Sequence, residues 1–264
     1  FMNWSLMSSG AWDYAANTRG YTYGGVIEYI HPKWSVRFSA TLVPLVANGP
    51  EMDWNINKVN ALTLELQKNY TIAGQKGIVR ALVFQNTSRG GNYYAAVTTF
   101  RSTNDSAELN VNTLSAYSGH KKYGYSINLE QGLTKDLGLF SRVSYNDGHT
   151  ATWAFTEIDQ HFSVGLSMQG TQWKRKNDVL AAAMSMNGIS AEHRVFLNTG
   201  GYGFIIGDGR LSHYGQERII EVYYSFAFKE SLSLTVDYQF VQNPVYNKDR
   251  GPVNVWGLRA HVEF

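Results

Sequence analysis

The chain has 264 residues, 44% of them hydrophobic and 14% aromatic but only 17% charged, with a formal net charge of +2 and no cysteine. That balance excludes a basic nucleic-acid-binding surface, and the missing cysteines exclude disulfides, zinc–thiolate sites and thiol catalysis while suiting a chain that crosses an oxidising compartment. No apolar run is long enough for a membrane-spanning helix, and a mean hydropathy of −0.28 is also what a barrel gives when lipid-facing and lumen-facing residues average out.

Residues 1–20 mix aromatics with Ser, Gly and Asn, follow neither helical nor strand period, and read as an ordered loop. No signal peptide precedes Phe1, so the chain is expected to start after a cleavage point or to lack its beginning. Period-two alternation then marks strands, because successive side chains of a strand point to opposite faces. They fall at 21–30, 33–44, 60–69, 77–86, 122–131, 136–146, 158–170, 178–187, 217–228, 231–241 and 253–264. In the second, Trp34, Val36, Phe38, Ala40 and Leu42 oppose Ser35, Arg37, Ser39 and Thr41. The fourth is ambiguous, because Ile78, Leu82 and Phe84 share a face with Arg80, and the eighth is weakly patterned. The last sets Trp256, Leu258, Ala260, Val262 and Phe264 against Arg259, His261 and Glu263, and a final strand ending on Phe is typical of outer-membrane barrels. Short helices are expected at 92–100 and at 190–200, where Ser190 is placed to cap and Gly200 to terminate.

The gaps between these strands run 2, 15, 7, 35, 4, 11, 7, 29, 2 and 11 residues. Short and long alternate without exception, as an up-and-down barrel with tight turns at one end and long loops at the other requires, and as a Greek-key sandwich does not. The fold class read from this is all-β, a transmembrane antiparallel up-and-down β-barrel with short loop helices, one domain over 1–264. Tyr21, Tyr23, Tyr123, Tyr125 and Tyr145 at outer strand ends, and Tyr29, Trp34, Phe226, Phe228 and Phe264 at inner ones, form two aromatic girdles. An odd strand count does not fit a closed bacterial barrel, so an N-terminal segment is expected to be missing.

Inward parity collects Glu28, Arg37, Glu65, Arg80, Glu130, Arg142, Glu221, Asp237, Arg259 and His261. A lumen of mixed charge suits neutral, hydroxyl-rich solutes better than one class of ion. The first nine are the candidate pore-lining and solute-contacting residues, and the competing reading for each is pairing across the lumen that keeps the barrel rigid and wet. Tyr14, Tyr145, Trp153 and Tyr223 are candidate aromatic faces for sugars near the mouth. In the loop Thr156–Asp159, the carboxylates Glu157 and Asp159 are open to general-acid work, calcium binding or an acidic patch, and are read with Tyr14 and Trp153 as pore mouth. Neither G-x-S-x-G nor H-E-x-x-H occurs, and the scattered histidines read as polar surface. The stretch Gly200, Gly201, Gly203, Gly207, Asp208, Gly209 fits no phosphate-loop spacing and is expected to be a structured outer loop folding toward the pore. No catalytic residue, metal or cofactor is therefore assigned.

The segments FMNWSLMSSGAWDYAANTRGYTYG, KKYGYSINLEQGLTKDLGLFSRVSYNDG, TWAFTEIDQ, GFIIGDGRLSHYGQE and VDYQFVQNPVYNKDRGPVNVWGLRAHVEF resemble, in order and over most of the chain, carbohydrate-selective outer-membrane porins of the OprB type. The resemblance implies a barrel of about sixteen strands, of which the eleven here form the C-terminal part and about five lie upstream. It further implies passive diffusion of monosaccharides and similar small solutes past inward-folded loops that form a charged constriction, with Arg80 and Arg142 matching arginines in similar surroundings. The expected setting is the outer membrane of a Gram-negative bacterium, C-terminus periplasmic, with lipid and lipopolysaccharide as neighbours and a monomer or homotrimer as assembly. The alternatives are a barrel enzyme of the lipase or esterase type, which needs Ser, His and an acid together at the lipid edge, and a general, non-selective porin.

Overall fold

The computed structural model describes residues 1–111, 119–153, 157–203, 205–207, 209–229 and 231–263. It contains β1 (Gly24–His31), β2 (Trp34–Thr41), β3 (Asn60–Ile72), β4 (Gln75–Ser88), β5 (His120–Gly132), β6 (Leu137–Asn146), β7 (Gln160–Gly170), β8 (Arg175–Gly188), β9 (Glu217–Lys229), β10 (Leu232–Gln242) and β11 (Val253–Val262). All eleven expected strands are present. Each pairs antiparallel with its neighbour in sequence, in the order β1 to β11, and β1 and β11 are the free edges of the sheet. Within the described residues the wall is therefore an open meander. No helix among them is long and apolar enough to cross a membrane.

Tight turns close one end of the sheet. Two-residue links join β1 to β2 and β3 to β4, the second through Ala73 and Gly74, both at positive φ (51° and 77°), the combination a hairpin of right-twisted strands demands. The five long connections, 42–59, 89–119, 147–159, 189–216 and 243–252, all emerge at the other end. Two of them carry the expected helices. Helix α2 (Tyr93–Thr103) is capped by the Asn92 side chain, which accepts from the Ala95 amide at 2.9 Å. Helix α3 (Ala191–Thr199) is capped by Ser190 and ends at Gly200 with φ 105°. A further short helix, α1 (Trp4–Met7), lies within the stretch read as a loop.

Outward side chains are apolar and left uncovered. Ile27, Leu64, Leu66, Val83, Leu166, Leu180 and Leu258 are all exposed, and Leu62, Val164 and Leu234 are partly so on the same face. In water such a band would be an aggregation surface; in a bilayer it is the hydrocarbon-facing wall. The girdle residues Tyr21, Tyr23, Tyr123, Tyr125 and Tyr145 are exposed at the long-loop end, and Tyr29, Trp34 and Phe228 at the short-turn end. Phe226 lies under the Arg175 guanidinium, 3.7 Å from its ring centre, whereas Phe264 lies outside the described residues.

The dry core sits in neither half of the barrel wall. It is a cap at the long-loop end to which all five long connections contribute, among them Val43 and Val59, Tyr93 and Val97, Ala151 and Trp153, Phe196 and Leu197, and Tyr246. Each such side chain removed from water contributes on the order of 1.5–3 kcal/mol, which holds five otherwise independent loops as one body.

Candidate functional site

The chain before β1 does not stay outside the barrel. Residues 2–13 run across the inner faces of the strands from β10 to β4, and nearly every strand there offers one side chain to the passing backbone. The Asn3 side chain donates to Gln239 on β10 at 3.0 Å, and the Met2 and Asn3 amides donate to the Glu221 carboxylate on β9. Ser5 meets Ser185 on β8 at 2.8 Å, and Arg142 on β6 donates to the Leu6 carbonyl at 2.6 Å. Farther along, Ser126 donates to Ser9, the Ala11 amide donates to Ser144, and Asn146 donates to the Ala11 carbonyl. Asn86 on β4 reaches the Asp13 carbonyl. An unpaired backbone needs such partners wherever it leaves water.

The wall recedes where this segment lies. Inward positions on β7 and β8 are Ser163, Gly165, Ala181, Ala183 and Ser185, and that is where α1 packs. A Cβ on Gly165 would stand 2.4 Å from the Phe140 ring and 2.6 Å from the Ala183 methyl, so only glycine lets that ring lie against the wall. The ambiguous parity of β4 has the same origin. Ile78, Leu82 and Phe84 do share the inner face with Arg80, and Leu82 and Phe84 are buried there between the attachments of Ser9 and Asp13.

Away from the inserted segment the inner face stays wet and its charges form one stripe. Glu28 on β1 pairs with Arg37 on β2, and Arg37 pairs with Glu65 on β3 at 2.7 Å. The Gln67 carbonyl accepts from Arg37 at 3.2 Å and from Arg80 on β4 at 3.0 Å, and Arg80 pairs with Glu130 on β5 at 2.6 Å. These five charged residues line up because antiparallel register sets Glu28 beside Arg37 and Arg37 beside Glu65. Arg259 on β11 is also inward and exposed, with no ion pair among the described residues, and His261 beyond it pairs with Glu263 at 3.0 Å.

Thus the nine candidate lining residues divide. Glu28, Arg37, Glu65, Arg80, Glu130 and Arg259 lie on the part of the inner face that the inserted segment leaves uncovered. Arg142, Glu221 and Asp237 are taken up against the inserted segment, and the last two are fully buried. Sequence parity puts all nine on one face of the sheet; it carries no sign of the segment that covers three of them.

Of the four residues assigned to the mouth, three sit otherwise than expected. Trp153 is a core residue of the cap, its indole N–H donating to the Pro44 carbonyl, and it offers no face to a solute. Glu157 and Asp159 form no acidic surface patch, because both are buried. The Glu157 carboxylate accepts the Ile205 and Ile206 amides at 2.9 and 2.7 Å, and Gly203 passes so close that a Cβ there would stand 1.5 Å from its oxygen. The glycine-rich stretch wraps a carboxyl group with oriented backbone amides, and that carboxyl is the protein's own side chain; Asp208 and Thr156 lie outside the described residues. Burial pushes the Glu157 carboxyl above its usual range, against the opposing pull of His193 and the two amides. Asp159 accepts the Ser190 amide at 2.8 Å and faces His193 Nδ1 at 3.0 Å, while His193 stacks on Tyr93 with ring centres 4.3 Å apart. Burial would raise Asp159, but His193, Lys122 and the Ser190 amide outweigh it and hold its carboxyl below the usual range. Tyr14 is half-buried with its ring edge-on to Trp12, and burial together with Asp13 pushes its phenol up to about 12, so it stays a neutral hydrogen-bonding group.

Two more aromatic candidates separate cleanly. Tyr145 points outward beside Tyr125 in the girdle and cannot meet a solute in the lumen. Tyr223 points inward and packs edge-on against Phe1, which also meets Phe140. For an esterase, the buried His193–Asp159 pair is one His–acid contact to weigh. The serine beside it, Ser190, is occupied as the helix cap and donates to the Gly148 carbonyl at 2.8 Å, and the pair lies inside the cap rather than at the lipid edge.

The family model for carbohydrate-selective porins, OprB family, matches residues 1–264. Among curated relatives, porin AaxA of Chlamydia abortus is 26% identical over 138 residues, covering 52% of this chain and 27% of that protein. Porin AaxA of Chlamydia pneumoniae is 25% identical over 141 residues, covering 53% of this chain and 28% of that protein. The matched part thus spans little more than a quarter of those relatives. Among solved structures, Pseudomonas putida OprB at high pH superposes with a TM-score of 0.73 at 18% identity, over 92% of this chain and 59% of that one. At that identity the superposition speaks for the fold.

Proposed function

We propose, because this chain belongs to the carbohydrate-selective porin family, OprB, that it forms part of the wall of an outer-membrane pore through which small polyhydroxylated solutes, sugars above all, diffuse passively. The observation that carries this reading is the stripe from Glu28 to Glu130. Every charge in it already has a protein partner, with three carboxylates set around two guanidiniums, so the stripe offers a passing ion little more than one net negative charge. A sugar hydroxyl both donates and accepts, and can share in the Arg and Glu hydrogen bonds without breaking the pairs.

The free edges of β1 and β11 support closure by further strands. An unpaired strand edge in hydrocarbon leaves several kcal/mol of unsatisfied polar groups per residue, and about sixteen strands make an even, closed total. In this arrangement the long loops and their cap face outward, the short turns and the C-terminus face the periplasm, and the exposed apolar band meets lipid and lipopolysaccharide. Swelling of liposomes containing the protein, in isosmotic sugars, tests the reading. Swelling that distinguishes two hexoses of equal size supports a selective pore; ranking by size alone makes it a general one, and no swelling at all refutes a pore.

A further inference from the structure

Glu221 and Asp237 are the most completely buried acids in the barrel wall, each with 0% of its surface exposed. They stand on neighbouring strands, on the same inner face, with their carboxyl groups within hydrogen-bonding range of each other. Glu221 Oε1 and Oε2 accept the amides of Met2 and Asn3. Asp237 Oδ1 accepts from the Gln239 side chain at 2.9 Å, while Asp237 Oδ2 is buried with no donor from any other residue.

Among the described residues neither acid makes an ion pair. The inserted segment brings backbone amides and the neutral Asn3; β8 brings Ala183, opposite Glu221; β9 brings Tyr223; β10 brings Gln239. Strand β11 sets Gly257 opposite Asp237, and Arg259, one inward position farther on and level with Thr235, makes no ion pair with either acid. Two buried carboxylates in contact cannot both be ionised without a compensating charge, and a buried oxygen without a donor costs about 1–3 kcal/mol.

We propose that Glu221 and Asp237 share one proton, donated from Glu221 to Asp237 Oδ2, and that this neutral half of the pair is the latch positioning the inserted segment in the lumen. Glu221 is then a positioning residue: it sets the width of the passage through Met2 and Asn3 without touching the solute. Removing the proton puts two charges side by side in a dry site, and the segment that buries them is the element free to give way. The inference rests on the pore reading, so one of its two readouts is independent of transport.

The test uses the whole chain in bilayers and in liposomes, with Glu221→Gln, Asp237→Asn and Glu221→Ala as variants. A glutamine replaces the protonated acid with a neutral group that still donates to Asp237. On going from acid to alkaline pH, ion conductance of the unaltered protein rises roughly twofold or more as the lumen widens. E221Q and D237N hold the low value throughout, and E221A shows the high value at every pH. Independently of conductance, a cysteine at Ser5, where it is buried against Ser185, is labelled by an impermeant maleimide faster at alkaline pH than the same cysteine in E221Q. A conductance and labelling ratio flat across this range, or an alkaline rise retained in E221Q, overturns the latch. Labelling that changes while no variant conducts or swells liposomes leaves the latch standing and refutes the pore.

Discussion

Two stretches of one wall obey the same alternation and have different fates. Along β1–β3, inward Arg37 and Glu28 keep about a third of their side-chain surface in water (35% and 33%). Along β7–β10, inward Ser163, Ser185, Glu221 and Asp237 keep none. In a closed barrel both sets would be described as lumen-lining. What divides them is residues 2–13, which turn one half of the lumen into protein interior and leave the other as the wet half. An inward polar side chain in a pore is thus a structural ligand or a solute contact according to what lies across from it.

The most damaging way to break the covered half is through Lys122 and Asp13, which face each other at 3.3 Å with 2% exposure each, where the inserted segment passes under the cap. Lys122→Met leaves a buried Asp13 carboxylate without its cation, and we expect a loss of about 3–5 kcal/mol, read from denaturant unfolding in detergent. Gly165→Val comes next. Its side chain meets the Phe140 ring and the Ala183 methyl, and overpacking of this kind costs about 1–3 kcal/mol; the displaced ring also lowers conductance.

The same treatment of the wet half should barely touch stability. Arg37→Ala removes a partly solvated ion pair, worth less than about 1 kcal/mol, yet it leaves Glu28 and Glu65 unpaired in the passage. The expected result is unchanged unfolding together with a shift of zero-current potential toward cation preference in a salt gradient. A destabilisation as large as that of Lys122→Met would place Arg37 in the covered class instead. The smallest effect at neutral pH concerns the cap. Asp159 is held below the usual carboxylate range by His193, so its contribution is fully present above that range and is lost as pH falls through the lowered value. Protease cleavage within 189–216 should therefore be unchanged at neutral pH and increase only in acid, and His193→Gln should move the onset to higher pH.

Much of this was legible beforehand, for a reason particular to barrels. Lipid imposes one requirement on every outward position, and that requirement repeats every second residue, so Leu62, Leu64 and Leu66 announce a strand without reference to any other part of the chain. Helix caps are equally local: Ser190 and Gly200 mark α3 because the groups they satisfy lie within one turn of them. Where the reading faltered, at β4 and β8, the cause was already in the residues. Phe84 and Leu82 face inward beside Arg80, and Ala181 and Ala183 make an inner face too small to contrast with the outer one. A run of small inward residues opposite an aromatic, irregular loop is a signal that something occupies the space there, and it is visible only when strand and loop are considered together.

Alternation and loop length, both properties of short windows, are enough to specify eleven antiparallel strands, the face taken by most of their residues outside β4 and β8, and the end at which the long loops gather. Which inward acid meets water, why Glu157 ends in a nest of amides, and that Trp153 packs a cap were settled only by contacts between residues far apart in the chain. Such contacts depend on where a segment comes to rest, and hydropathy along a strand carries no information about what the opposite side of a cavity holds.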